Sequence, residues 1–384
     1  MIFLTGMQSG KKQNEIRMRK KNKKILILCP SPKGTAAAQR LKYEQYLPLL
    51  EDAGYSFAIS NFQTARLWNI IHKPGRTFEK IFWFGIGYIK RGWDLLRAPF
   101  YDGVFVTIWA TPIGPPVYEH MLRLFQKKII YDLDDMMFMK RFDHVKQNFF
   151  QRLKGGKKPL VLLKYARYVI VCTPKLEEIA LERNIYKQVV DISSTFNTDR
   201  FVPVTSYQKN EVTTIGWTGT HSSLPFLESL QPVLAEVSKL RKIKLLVIAN
   251  KEYQMKDVET VNIAWKEESE VVDLQRIEIG LYPIPANEWS LGKSSLKALT
   301  YMSIGIPVVA TAYGTNFRIM ENGVQGFLAK DNQEWVDRIV QLIDDVELRK
   351  KMGAAGRKTV VELFSVKANF PKYLKAFNTV APLT

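Results

Sequence analysis

Residues 281–329 read LYPIPANEWSLGKSSLKALTYMSIGIPVVATAYGTNFRIMENGVQGFLA. The stretch predicts a strand ending at Pro283, an irregular polar loop, and a helix carrying Lys293, Ser294, Ser295 and Lys297 in its first turns. After Gly-Ile-Pro at 305–307 comes a second strand, Val308–Thr311. Strand, helix and β-branched strand in succession form the crossover unit of a parallel sheet. Lysines at a helix start run against the dipole, which favours acids there. An anion bound at that spot resolves the conflict, because amide donors, hydroxyls and ammonium groups then converge on it. A diphosphate fits.

Outward from this unit the same pattern repeats. Short apolar runs occur at Ile25–Cys29, Phe57–Ser60, Val104–Ile108, Ile129–Asp132, Tyr168–Thr173 and Val189–Ile192. A second series follows at Thr213–Trp217, Leu245–Ile248, Val261–Ala264, Ile279–Pro283 and Val308–Thr311. Continuous apolar runs alternating with helical patterns are typical of parallel strands buried on both faces. Two such series imply an α/β protein with two doubly wound, Rossmann-like domains facing a cleft. The expected division is a basic N-terminal tail (1–24), a first domain (25–200), a second domain (205–365) and a helical tail (366–384). The polar stretch FNTDRFVPV (196–204) suits the link between domains. Periodicity leaves open which domain the helical tail packs on.

The chain has 384 residues and a formal net charge of +19. Its 46% hydrophobic and 24% charged content excludes wholesale disorder and collagen-like repeats. Cys29 and Cys172 are the only cysteines, too few for a disulfide framework or a zinc-finger ligand set. No run reaches the ~20 apolar residues of a membrane-spanning helix. The opening MIFLT is too short for a signal-peptide core, and its charges follow where they should precede, so the expected location is cytoplasmic. Residues 11–24 hold eight Lys or Arg and one Glu, and the remainder is still basic. Such charge suits an anionic partner: nucleic acid, acidic lipid or a phosphorylated substrate.

Four further segments bear on chemistry. PSPKGTAAAQRLKYEQYLPLLEDAGY (30–55) follows the first strand; its Gly34 lets backbone approach a phosphate or sugar, and Arg40 stands where it can reach an anion. Residues 66–101 contain nine aromatics, seven basic and two acidic residues. There Phe78, Phe82, Ile89, Trp93 and Leu96 share one helical face, with Trp83, Phe84 and Tyr88 partly off it. The segment reads either as packing between domains or as an amphipathic helix on an anionic bilayer; base stacking lacks a supporting motif, and no nucleic-acid partner is expected. YDLDDMMF (131–138) places Asp132, Asp134 and Asp135 at a strand end, where acids can receive hydroxyl protons or cap a helix; no further ligand stands at metal-binding spacing. IGWTGTHSSLPFLESL (215–230) puts Gly219, Thr220, His221 and Ser222 at a helix start.

Taken together, GKSSLKALTYMSIGIPVVAT, ENGVQGFLA, EWVDRIVQLIDD and LRKKMGAAGR resemble the retaining glycosyltransferases of the GT-B fold, specifically the family 4 group. FNTDRFVP, IGWTGTHSS and YDLDD resemble other segments of that group, so the resemblance spans nearly the whole chain. It implies a nucleoside diphosphate sugar held by the second domain, a glycan or lipid-linked acceptor held by the first, and transfer with retention. No cofactor and no obligatory metal are implied, and the C-terminal tail is expected to cross back onto the first domain. By the same resemblance Gly34, Gly219 and Thr220 belong to the two glycine loops near the donor. Lys293 and Lys297, with Ser294 between them, neutralise the diphosphate. The two glutamates usual in the family are replaced by Gly292 and Thr300, of which Thr300 keeps at most one hydrogen bond to the donor. Glu288 is a candidate substitute carboxylate, and Asp134 or Asp135 a candidate acceptor base, with the leaving phosphate as rival.

The expected role is a peripheral glycosyltransferase of bacterial surface polysaccharide synthesis on the inner face of the membrane. Residues 66–101 would contact the bilayer. Two alternatives stay open at this level: a nucleotide-sugar epimerase of the same fold, and a catalytically silent nucleotide-sugar-binding subunit.

Overall fold

The computed structural model describes residues 22–71, 73–138, 157–204 and 210–383. The first sheet contains β1 (Lys23–Cys29), β2 (Tyr55–Asn61), β3 (Gly103–Thr107), β4 (Ile129–Leu133), β5 (Tyr168–Val171) and β6 (Val189–Asp191). Its strands lie in the order β2-β1-β3-β4-β5-β6. The second contains β7 (Thr213–Gly219), β8 (Ile243–Ala249), β9 (Thr260–Ala264), β10 (Ile279–Tyr282), β11 (Val308–Thr311) and β12 (Gly326–Ala329), in the order β12-β11-β10-β7-β8-β9. All pairings are parallel. The strand order reverses between β1 and β3 in one sheet and between β7 and β10 in the other. Loops leaving the carboxyl ends of such strands diverge and open a ligand crevice.

The apolar runs follow from burial on both faces. Leu26, Leu28, Val104 and Val106 pack into one cluster, while Ile25, Ile27, Phe105 and Ile130 pack into another on the opposite face. Each such side chain contributes about 1.5–3 kcal/mol when fully buried, so both faces require helical cover. One element of that cover comes from the far end of the chain. Helix Val366–Val380 leaves the second domain and lays Tyr373, Phe377 and Val380 into the first domain's core. There Tyr373 stacks on Tyr46 with centroids 4.0 Å apart, and Phe377 stacks on Phe105 at 5.7 Å.

The structure departs from the sequence reading in three places. β12 was not expected, because GFLA is a short edge strand with no β-branched residue. β1 begins at Lys23, inside the stretch expected to be tail; residues 1–21 lie outside the described residues. The helix expected to open with Lys293 begins at Leu296, because Ser295 is left-handed (φ 57°) and turns the chain just before it. Lys293 and Ser294 therefore sit in extended approach to the helix.

Candidate active site

The carboxyl edges of the two sheets face each other. Past the end of β4, Asp134, Asp135 and Met136 meet residues 289–293 of the second domain. Asp135 pairs with Lys293, whose ammonium also lies 4.0 Å from the Trp289 ring centre. Trp289 itself is buried in the first domain's cluster with Met136. After β6, the Ser194 and Ser294 hydroxyls are 2.9 Å apart, and Ser193 Oγ donates to the Ser294 carbonyl at 3.3 Å. Gly292 permits this approach: a Cβ there would stand 2.6 Å from Met136 Cγ and 3.0 Å from its backbone nitrogen. No glutamate could occupy that position in this closed arrangement.

On the second domain's side, β7 ends at Gly219, and Thr220 opens a capped turn with reciprocal bonds to Ser223. Lys297 reaches over this turn and donates to Ser223 Oγ at 3.2 Å, with the Trp217 ring beneath it at 5.2 Å. A Cβ on Gly219 would lie 2.4 Å from Trp217 and 2.9 Å from Lys297 Cε, so only glycine lets the lysine cross here. Thr300, one turn further along the helix, donates its hydroxyl to the Leu296 carbonyl at 2.8 Å. That bond occupies its one donor. Glu288 is exposed in the turn before Trp289, and its charge acts on Lys175. His221 is exposed and engages Asn250 through its backbone and its ring.

The first domain offers a contrasting, acidic side. Lys42 Nζ donates to Asp132 Oδ1 at 2.6 Å and lies 3.8 Å from Asp134 Oδ1. Burial opposes the Lys42 charge, but Asp132 and then Asp134 hold its pKa above the usual lysine range. Asp134 is pushed up to about 7, chiefly by burial, with Lys42 pulling the other way and Asp132 and Asp135 adding repulsion. Burial raises Cys172 as well, so its thiol stays protonated; it donates to the Asp134 carbonyl at 2.9 Å. Asp135 Oδ1 accepts from the Met136 amide at 2.8 Å, and the residues from 139 to 156 that follow lie outside the described residues. Among the described residues no group of three His, Cys, Asp or Glu is placed to hold a metal ion.

Two first-domain residues expected at the donor are engaged elsewhere. The Gly34 amide donates to Glu44 Oε2 at 2.8 Å. Arg40 makes a two-pronged ion pair with Glu270 of the second domain, 2.8 Å on each side, reinforced by Arg200 at 3.3 Å. Here Arg40 joins the domains and does not present a free cation to an anion. Lys42, Trp289 and Glu270 were not singled out from sequence. Lys42 had a signal, a charge within the buried run Leu41–Leu47 opposite three acids. Glu270 had none, standing among Glu267, Glu268 and Asp273.

With this geometry in hand, comparison gives the class. Residues 289–359, from Trp289 through the lysines and into the trailing helices, match the family described as Glycosyl transferases group 1. Sucrose-phosphate synthase from Thermosynechococcus elongatus is similar in fold, with a TM-score of 0.66 and 16% identity over 94% of this chain and 99% of that one. A glycosyltransferase from Rickettsia africae gives 0.62 and 14% over 94% and 98%. HepE of Anabaena, solved in complex with UDP and glucose, gives 0.59 and 14% over 93% and 100%. No curated protein matches the chain by sequence. The chain has the GT-B fold and carries a glycosyltransferase domain, which makes it an enzyme of the glycosyltransferase class.

Proposed function

We propose that this enzyme moves a sugar from a nucleoside diphosphate sugar, with retention of configuration, to a glycan or lipid-linked acceptor. The setting would be bacterial surface polysaccharide synthesis on the inner face of a membrane. The observation that carries the donor assignment is Lys297 crossing Gly219 at the β7–β10 switch point, with Lys293 four residues before it. The Lys297 ammonium beside a capped turn, with Lys293 on the approach to the same helix, matches a diphosphate. HepE, of the same fold, is described with UDP and glucose, which favours the same class of donor.

In this reading the bond from the anomeric carbon to the diphosphate oxygen breaks as the acceptor oxygen bonds to that carbon. Negative charge grows on the departing nucleoside diphosphate. Lys293 and Lys297 stabilise it more in the transition state than in the ground state, a task that then needs no obligatory metal or other cofactor. Donor binding would draw Lys293 away from Asp135. The acceptor proton passes to the Asp134 carboxylate or to the leaving phosphate. Asp135, held by Lys293, is the weaker candidate base, and exposed Glu288 is kept only as a rim contact. Ser294 and Thr220 would supply hydroxyls beside the diphosphate.

The test is calorimetric titration with UDP, GDP, dTDP and ADP. One nucleotide should bind at micromolar levels, and Lys297→Ala should weaken it about 30-fold, the loss of one charge-assisted contact of about 2 kcal/mol. If the folded enzyme binds none of the four, the silent-subunit reading replaces this one. Conversion of a donor sugar without acceptor would favour the epimerase.

A further inference from the structure

We infer that the outer face of helix Thr77–Arg97 docks on an anionic lipid bilayer. At about 100° per residue, Gly87, Arg91, Asp94 and Ala98 fall together and pack inward. A Cβ on Gly87 would touch the Phe62 ring at 2.8 Å, and Phe84 and Tyr88 also contact Phe62. The opposite face carries Phe78, Phe82, Ile89, Trp93 and Leu96, and these are exposed: 90% for Phe78, 71% for Ile89 and 61% for Trp93. The stripe runs the length of a 21-residue helix, about 30 Å. Phe100 extends it, and helix Val117–Phe125 beside it adds exposed Leu124 and Phe125. Trp83 and Phe84, which the helical spacing puts partly off that face, are half-buried. The inner and outer faces each carry aromatics, and composition alone does not separate them.

Charge selects the occupant. Residues 66–128 contain ten Lys or Arg and four acids. Every one of those acids is engaged within the fold. Glu79 pairs with Arg66 at 2.6 Å, and Asp94 is buried between Arg91 and Arg97. Asp102 accepts the Lys24 amide at 2.8 Å, and buried Glu119 accepts from Thr111 at 2.9 Å. Meanwhile Lys73, Arg123, Lys127 and Lys128 are exposed. An apolar stripe edged by cations with no free carboxylate complements acidic lipid headgroups, with the rings entering the interfacial layer. No described helix is long and apolar enough to cross a membrane, so this contact lies in the surface plane. It also joins the acceptor side of the cleft: the Tyr88 hydroxyl donates to the Ile113 carbonyl at 2.8 Å, in the loop leaving β3.

The test is sedimentation of the full chain with phosphatidylcholine vesicles, with and without about 30% phosphatidylglycerol. The wild type should bind the acidic vesicles. Ile89→Ser/Trp93→Ser/Leu96→Ser should bind more than about tenfold more weakly at an unchanged circular dichroism spectrum. As a second arm, brominated lipid should quench tryptophan emission in the wild type and quench it less in Trp93→Phe. Equal binding by the triple variant would overturn the inference in favour of the basic N-terminal run. A micromolar dimer that the triple variant dissociates would overturn it in favour of self-association. A monomer that ignores vesicles would overturn it outright. None of these results touches the donor assignment, which calorimetry reads separately.

Discussion

The glycine loops that leave β1 and β7 occupy equivalent places, each following the first strand of its domain at the switch point. They have opposite fates. At the first, Glu44 takes the Gly34 amide and Glu270 takes Arg40, so carboxylates close it and lock it to the second domain. At the second, Thr220 and Ser223 cap the turn, and Lys297 crosses Gly219 and rests on Ser223. Local sequence grammar is the same in both, and long-range partners set them apart: a carboxylate of the other domain meets the arginine of the first loop, while a lysine crosses the second. A glycine after a strand therefore does not by itself mark an anion site, since carboxylates already close the first loop.

The largest expected effect follows from the closed loop. Glu270→Ala leaves Arg40, 6% exposed, with Glu267 at 3.9 Å as its remaining carboxylate. Removing one partner of a buried pair should cost about 3 kcal/mol. Urea titration should show that loss while nucleotide affinity stays within about twofold. Next comes the glycine pair. Gly219→Ala forces its methyl into Trp217 and displaces Lys297, an overpacking of about 2 kcal/mol, and nucleotide binding should fall more than tenfold. Gly34→Ala, at φ +80° and 3.5 Å from Glu267, should cost about 1 kcal/mol of stability and leave binding intact. Equal losses of affinity in the two variants would mean that the donor spans both loops, and the contrast would fail.

The eleven expected strands all occur, and in the inner ones burial on both faces writes a continuous apolar run whatever its partners are. Pairing of charges across 90 or more residues leaves no such local mark. Lys42 with Asp132, Arg40 with Glu270 and Lys293 with Asp135 each join segments far apart in sequence. Thus Lys297 stands in the first turn of its helix, where the sequence put it, while neither the extended approach of Lys293 nor the closing of Arg40 left a local mark. The outer stripe of helix Thr77–Arg97 is an intermediate case. Periodicity gave the face, and only the packing of Gly87 against Phe62 showed which side was left bare.

The acidic side of the cleft sharpens the same contrast through pH. Asp134 titrates near 7 in the fold, against 3.8 for an ordinary aspartate. A base is active when deprotonated, so if Asp134 takes the acceptor proton, kcat/KM should rise about tenfold from pH 6 to pH 8. In Asp134→Asn the rise should vanish. A flat wild-type profile, with activity retained in the variant, would hand the proton to the leaving phosphate instead. Stability gives an independent reading of the same group. Because the folded pKa is raised, the native state holds a proton that the unfolded chain releases above 3.8. Stability from this group is thus present at low pH and declines as pH rises through 7. Asp134→Asn should therefore match the wild type below pH 4 and exceed it above pH 7. If urea titrations instead show the two proteins tracking each other across that range, burial is not suppressing the Asp134 charge, and the rate profile must be explained without it.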